Sequence, residues 1–127
     1  MSDYKRDHPR IKKILPAELI VSGHKKLFAS TFDVSRTGIQ VICDAITTEE
    51  IFRTTQGDGP SRYPHVNVIL RLPHPDAGPT RIEADCRAMF SRRVSEQEFR
   101  VGLQIDAISA EHRAMLDGFV DGCLNPA

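Results

Sequence analysis

Short apolar segments separated by polar turns run along most of the chain, and within them hydrophobic and polar residues alternate. In the segment FRVGLQI at 99–105, every second residue is apolar. This period of two is typical of a half-buried antiparallel strand. In the segment 81–94 the same alternation puts Ala88 and Phe90 on one apolar face. The predicted strands cover residues 14–22, 27–32, 39–43, 66–72, 81–94 and 99–105.

The period changes to that of a helix near the C-terminal end. Pairs of apolar residues recur at intervals of four between Met115 and Leu124, which predicts an amphipathic helix. Ser109 is its predicted N-cap, so the helix is expected over 109–124.

The sequence between the third and fourth predicted strands gives a weaker signal of secondary structure. The segment 47–53 predicts one helical turn with Thr47 or Thr48 as its N-cap, and a glycine- and proline-rich loop follows it. The conformation of residues 44–65 therefore stays open.

Six short strands and one terminal helix predict an all-β fold with one helix. The architecture we expect is a small six-stranded antiparallel β-barrel with a C-terminal α-helix packed on it. Closing the barrel would remove exposed strand edges. A chain of 127 residues suits one domain. We expect a basic N-terminal arm over residues 1–13 and the barrel with its helix over 14–127.

Composition narrows the class of protein. Apolar residues make up 40% and charged residues 27% of the chain, a globular balance. No apolar run approaches the roughly 18 residues that a membrane span needs, and the charged start lacks the apolar stretch of a signal peptide. Cys43, Cys86 and Cys123 show no paired spacing, so we expect a cytoplasmic protein without a metal site or cofactor.

The net charge of zero hides an uneven distribution. Residues 1–26 carry seven lysines and arginines against three acidic residues, and the rest of the chain carries an acidic excess. A basic arm on an acidic body predicts a local anionic partner, because a nucleic-acid polymer would require a broad basic face. A solvated basic tail is the alternative interpretation.

The arm carries the first of two motifs, an RxxxR formed by Arg6 and Arg10. Pro9 disfavours a helix at this point and pushes His8 toward extended geometry. In an extended segment residues four apart point to the same side, so both guanidinium groups would face one ligand. Guanidinium groups bind phosphate bidentately and stack on purine rings.

The second motif is DVSRTG at 33–38, which is separated from Arg10 by 22 residues and lies between two predicted strands. The carboxylate of Asp33 can accept hydrogen bonds from the N1–H and amino groups of a guanine. Ser35 supplies a short hydroxyl, and Gly38 lets a flat base approach the backbone. Together the motifs predict a small guanine nucleotide with more than one phosphate as the ligand. Ordinary turn chemistry at 33–38 is the alternative.

RxxxR followed by DxSxxG about one hairpin later resembles the PilZ domain, the bacterial receptor module for cyclic di-GMP. The segments 84–87 and 99–105 resemble later strands of that family, so the resemblance covers residues 5–120. It implies that the two arginines contact the phosphates and guanines, that the aspartate and serine contact a guanine, and that the glycine allows close approach. The implied ligand-binding residues are Arg6, Arg10, Asp33, Ser35 and Gly38, with Lys5, Arg36 and Gly102 as secondary positions.

The resemblance further implies a single-domain cyclic di-GMP receptor or adaptor, not an enzyme, which signals to an unidentified protein partner. We expect a monomer or weak dimer that neither inserts into a membrane nor binds a nucleic-acid polymer. The arm is expected to be mobile until the ligand draws it over the barrel. One alternative is a PilZ-like interaction domain that binds no ligand. Another is a single-stranded nucleic-acid binder, for which an aromatic content of 6% offers few stacking platforms.

Overall fold

A computed structural model of the chain describes residues 9–21, 24–53, 63–74 and 76–125. Six antiparallel strands form a closed barrel with the strand order β1-β2-β3-β6-β5-β4. The strands are β1 (Pro16–Val21), β2 (Lys25–Val34), β3 (Gly38–Cys43), β4 (His65–Leu72), β5 (Thr80–Arg93) and β6 (Phe99–Ile108). The predicted six-stranded barrel is confirmed, and each predicted strand overlaps one observed strand.

The barrel interior is filled by the alternate, inward-facing residues of the strands. Leu19, Val41, Leu70 and Val101 have almost no exposed surface and belong to one continuous buried cluster. Burial of such aliphatic side chains contributes about 1.5–3 kcal/mol each to folding. The hydrophobic alternation of the sequence therefore specifies both the strands and the core.

Two helices add side chains to the same cluster. Helix α1 (Ala45–Arg53) contributes Ile51, and helix α2 (Ala110–Leu124) contributes Leu116 and Val120. Neither described helix has both the length and the apolar character needed to cross a membrane.

The predicted cap of the C-terminal helix is confirmed, whereas the predicted cap of the first helix is wrong. The hydroxyl of Ser109 accepts a hydrogen bond from the backbone N–H of His112 at 3.1 Å. In α1 the cap is Asp44, whose carboxylate accepts from the N–H of Thr47 at 2.7 Å. This hydrogen bond lowers the pKa of Asp44 below its usual value of 3.8. Asp44 follows the last residue of β3, and α1 starts at Ala45, two residues before the predicted segment 47–53.

A bulge overturns one predicted side-chain orientation in β5. Ala88 pairs with Leu103 and Phe90 pairs with Gly102, so one extra residue of β5 is accommodated between these pairs. Ala88 remains buried, but Phe90 is 46% exposed and points out of the barrel. The strict alternation that placed both residues on one face fails at this point, because a bulge shifts the register by one residue.

Candidate ligand-binding site

Arg10 and Asp33 form the centre of the candidate site. The Nε and Nη2 atoms of Arg10 both lie 2.8 Å from Oδ1 of Asp33. Asp33 is only 4% exposed, and its Oδ2 accepts a longer hydrogen bond of 3.4 Å from Gln40. The side chain of Arg10 as a whole is 39% exposed. The buried carboxylate therefore fixes the orientation of a cation that still faces the solvent.

The backbone beside Arg10 is part of the barrel. Ile11 exchanges two hydrogen bonds with Val34, of 2.7 and 2.9 Å, and its side chain is buried in the core. Farther along, the Thr31 hydroxyl accepts from the N–H of Leu15 at 2.8 Å and donates to the carbonyl of Lys13. The expected boundary between arm and barrel at residue 14 is therefore too late, because the chain joins the barrel at Ile11. Arg10 directly precedes this bridge, and its guanidinium is bound by Asp33. The expected mobility of the arm stays a prediction.

The turn between β2 and β3 is closed by Ser35. Its N–H donates to the carbonyl of Gly38 at 2.8 Å, and its Oγ accepts from the N–H groups of Thr37 and Gly38 at 3.3 and 3.1 Å. Ser35 has no exposed surface. In this structure its hydroxyl shapes the turn, and the predicted contact of Ser35 with a guanine stays a prediction.

A groove of about 580 Å³ opens on the outside of the barrel next to Arg10. The strands β3, β5 and β6 form its floor and walls. Its lining includes Arg10, Thr37, Gly38, Gln40, Phe90 and Gly102. A side chain at position 38 would place its Cβ 2.9 Å from the carbonyl oxygen of Leu103 and 3.9 Å from Nη1 of Arg10. Glycine at this position thus keeps the strands paired and leaves the space beneath Arg10 open.

Phe90 and Gly102 form the opposite wall of the groove. A Cβ atom at position 102 would overlap the Phe90 ring, so the ring lies directly on the glycine backbone. The groove therefore combines a cation from Arg10 with an exposed aromatic face, the two groups that a purine nucleotide can contact.

Arg36 points away from the groove. Its guanidinium pairs with Asp121 and lies 3.7 Å from Asp117, both on α2. The secondary ligand contact that the resemblance implies for Arg36 stays a prediction, and in this structure its guanidinium is bound to α2 instead.

The structure brings Arg10, Gly38 and Gly102 together around one groove, and the buried Asp33 binds Arg10 at its edge. It places Ser35 beneath that groove and Arg36 on the helix side of the same turn. Lys5 and Arg6 lie outside the described residues, so their predicted roles stay predictions.

Sequence reasoning missed the contributions of Gln40 and Phe90. Gln40 follows Gly38 by two residues on β3, so the period of a strand places both on the same face and offered a signal for Gln40. Phe90 faces outward only because of the bulge, which no periodic pattern predicts.

Cys43 and Cys86 are buried in the barrel core, and their burial decides whether their thiols are reactive. Burial raises the pKa of Cys43 and of Cys86 to about 12. Both thiols are protonated at neutral pH and are poor nucleophiles. These two residues therefore pack in the core and do not activate a ligand.

Solved structures with a similar fold come from several bacteria. The inhibitor of motility MotI/DgrA of Bacillus subtilis matches with a TM-score of 0.68 and 17% identity, over 94% of this chain and 52% of that one. The PlzA protein of Borreliella burgdorferi, solved with c-di-GMP, matches with a TM-score of 0.60 and 12% identity, over 97% and 55% of the two chains. The PilZ domain of Escherichia coli YcgR, also with c-di-GMP, matches with a TM-score of 0.57 and 11% identity, over 94% and 92%.

The present chain spans about half the length of the first two proteins, and at these identities the likeness shows the fold alone. A search of curated protein sequences gave no significant match. The family model described as "PilZ domain" matches residues 4–122, nearly the whole chain. This chain therefore belongs to the PilZ domain family.

Proposed function

We propose that this chain is a receptor module that binds cyclic di-GMP in the groove beside Arg10. The observation that carries the proposal is the guanidinium of Arg10, which the buried Asp33 holds at the groove edge. Among the described residues, Nη1 of Arg10 has no hydrogen-bond partner, and it lies close to Gly38. A phosphate or guanine edge placed over Gly38 would meet this fixed donor.

The shape and charge of the groove suit a compact dinucleotide. Its volume of about 580 Å³ lies within the range of about 300–1,000 Å³ typical of small-molecule sites. One wall is the exposed Phe90 ring, and the other is a cation fixed in advance. Because the ion pair with Asp33 already orders Arg10, ligand binding loses less side-chain entropy than it would with a free arginine.

The residues divide into two roles under this proposal. Arg10 contacts the ligand, and Arg6 adds a second guanidinium from the preceding segment. Asp33 positions Arg10 through the contacts at 2.8 Å. Gly38 leaves the space beneath Arg10 open, and Gly102 lets the Phe90 ring form the opposite wall. PlzA and YcgR, two members of the set of similar structures, were solved with c-di-GMP, which favours this ligand over other guanine nucleotides.

The output of such a receptor would be a contact with a protein partner, without catalysis. The strands β1, β2 and β4 lie across the barrel from the groove, and Ile14 and Phe28 are exposed there by 74% and 69%. Exposed large apolar side chains that share one surface favour a protein interaction. The same observation favours the second candidate function, an interaction domain that binds no nucleotide.

Calorimetric titration with cyclic di-GMP separates the two functions. The wild-type protein should bind, and Arg10→Ala should bind about ten- to a hundredfold more weakly, since hydrogen bonds to charged groups contribute about 1.5–3 kcal/mol. Arg81→Ala is the matched control, because Arg81 is an exposed arginine that pairs with Glu83 far from the groove. It should leave the affinity unchanged.

Two results would contradict the proposal. The first is the absence of binding by a folded wild-type protein, which would leave the interaction domain as the function. The second is equal affinity of the wild type and Arg10→Ala, which would remove Arg10 from the site. Circular dichroism of each variant establishes that it is folded before titration.

A further inference from the structure

The turn that borders the groove is attached to the C-terminal helix by Arg36. The side chain of Arg36 pairs with Asp121 and approaches Asp117 within 3.7 Å. Both aspartates lie on α2, one helical turn apart, so their side chains share a face of the helix. The arginine is thus directed toward the helix by two carboxylates.

Arg113, also on α2, holds the backbone at the same position. Its Nη1 donates to the carbonyl of Arg36 at 2.5 Å and contacts Asp117 at 3.2 Å. We call Arg36, Arg113, Asp117 and Asp121 the helix clamp. The clamp engages residue 36 by its backbone and its side chain at once, so the turn cannot move independently of α2 without breaking several polar contacts.

The other side of this turn forms part of the groove. Thr37 and Gly38 line it, and the carbonyl of Thr37 accepts from the N–H of Ile105 at 2.9 Å. Ile105 lies on β6 and lines the same groove. Only one peptide unit therefore separates the clamped residue from the groove surface, and a displacement of residue 36 would be transmitted to Thr37 and Gly38.

We propose that Arg36 is a positioning residue, which couples ligand occupancy of the groove to the docking of α2 on the barrel. The inference rests on the proposed function, since the ligand is cyclic di-GMP bound beside Arg10. The clamped turn is the form that the ligand binds, so the docked helix raises ligand affinity. By linkage the bound ligand must stabilise the docked helix to the same extent. Helix α2 is then the element through which a partner protein can sense the ligand.

The double variant Asp117→Asn/Asp121→Asn distinguishes this role from two others by the sign of its effect. If Arg36 were a ligand contact, removing its two partners would free it and strengthen binding. If the aspartates only repelled the anionic ligand, removing their charges would also strengthen binding. A positioning role predicts weaker binding, although the protein has become more positive.

Calorimetry with cyclic di-GMP should show about fivefold weaker binding for the double variant, at the low end of typical coupling between sites. Glu111→Gln is the control for charge. Glu111 is exposed, lies on the same helix and forms no ion pair within the described part of the chain. Unchanged or slightly stronger binding is expected for this control. Equal or stronger binding by the double variant would overturn the positioning role.

Amide hydrogen exchange provides a readout that does not depend on affinity. In the wild type, saturating cyclic di-GMP should slow exchange across α2, and the double variant should lose most of this slowing. A folded double variant that retains the full slowing would overturn the coupling.

The ligand-free proteins test the clamp separately from the proposed function. Without ligand, the double variant should exchange faster at the N–H of Ile105 and of Ser35, because these groups donate to the carbonyls of Thr37 and Gly38 in the clamped turn. If the wild type bound no cyclic di-GMP, the proposed function would fail and the coupling to this ligand with it. Faster exchange would then support the clamp as a feature of the fold, and unchanged exchange would overturn the clamp as well.

Discussion

The two faces of the turn Ser35–Gly38 use the same pair of residue types in different environments. On the groove face, Arg10 pairs with Asp33, whose side chain is nearly buried. On the helix face, Arg36 pairs with Asp117 and Asp121, which are substantially exposed. Both faces hold an arginine by carboxylates, but only the first of these arginines faces the groove.

Because the two ion pairs differ in burial, they differ in how much they stabilise the protein and in how easily they are broken. A carboxylate withdrawn from water is stabilised strongly by its cation, and it is strongly destabilising once that cation is removed. Exposed ion pairs contribute about 0–1 kcal/mol and are screened by salt. The groove face is therefore suited to fixing a ligand contact, and the helix face to coupling that can be gained or lost.

The largest effect that we predict is a decrease in the free energy of unfolding when Arg10 is replaced by alanine. Arg10→Ala leaves the buried Asp33 without its cation and should lower the free energy of unfolding by about 2–3 kcal/mol. Arg36→Ala leaves only exposed carboxylates and should lower it by less than about 1 kcal/mol. Urea denaturation measures both.

A second substitution tests the reason for this asymmetry. Arg10→Ala/Asp33→Ala removes the buried charge together with its partner, so it should recover part of the stability lost in Arg10→Ala. Equal losses for Arg10→Ala and Arg36→Ala, or no recovery in the double variant, would contradict the distinction between the two faces.

Much of the barrel could be predicted because one face of every strand is buried, and burial imposes a period of two on the sequence. The predictions failed where a local feature breaks that period. The bulge in β5 turns Phe90 outward, and the chain bridges to Val34 already at Ile11, inside a segment whose basic residues suggested a free arm. The basic composition of this segment does not reveal that one of its residues, Ile11, is buried and attaches the segment to the barrel.

The two glycines of the groove should differ in their response to an added methyl group. Gly38→Ala brings its Cβ to 2.9 Å from a backbone carbonyl, so β3 and β6 must separate locally, and we expect a loss of about 1–2 kcal/mol. At position 102 the three atoms nearest to an added Cβ all belong to the Phe90 ring. That ring is exposed enough to rotate away, and the stability loss should be smaller.

Ligand affinity should respond to both substitutions, because both reshape the groove. Gly102→Ala is the more informative variant, since a well-folded protein with a displaced Phe90 ring should bind cyclic di-GMP more weakly. Unchanged affinity of Gly102→Ala in calorimetry would exclude this wall from the site.

The smallest effect should come from Asp44, which follows the last residue of β3, at the end of the strand away from both faces. Its pKa is lowered by the hydrogen bond from Thr47, so its contribution to stability is present above about pH 4 and is lost as the pH falls through the lower value in the folded protein. Asp44→Asn retains an acceptor for the cap and should change stability at pH 7 by only a few tenths of a kcal/mol.

On acidification the wild type should lose stability relative to Asp44→Asn. Urea denaturation at several pH values measures this change. Affinity for cyclic di-GMP at neutral pH should be unchanged. A large affinity loss would contradict the location of the site at the other end of β3.

The candidate site was predictable only as far as residue types specify chemistry. The motifs located Arg10, Asp33 and Gly38 correctly within one region, because cations, carboxylates and glycines suit a guanine nucleotide. They predicted Asp33 as a contact of the guanine, which stays a prediction, and gave no sign that its carboxylate binds Arg10. They also gave Arg36 no connection to α2. Those features depend on burial and on contacts 77 and 85 residues apart in the sequence.

The central claim is that cyclic di-GMP occupies the groove beside Arg10, and mapping of backbone amide shifts by proton–nitrogen NMR tests it most directly. On titration with the dinucleotide, the largest shifts should fall at Gly38, Gln40 and Gly102, with little change at Phe28 on the opposite side of the barrel. Shifts concentrated around Phe28, or an unchanged spectrum at saturating ligand, would contradict the account.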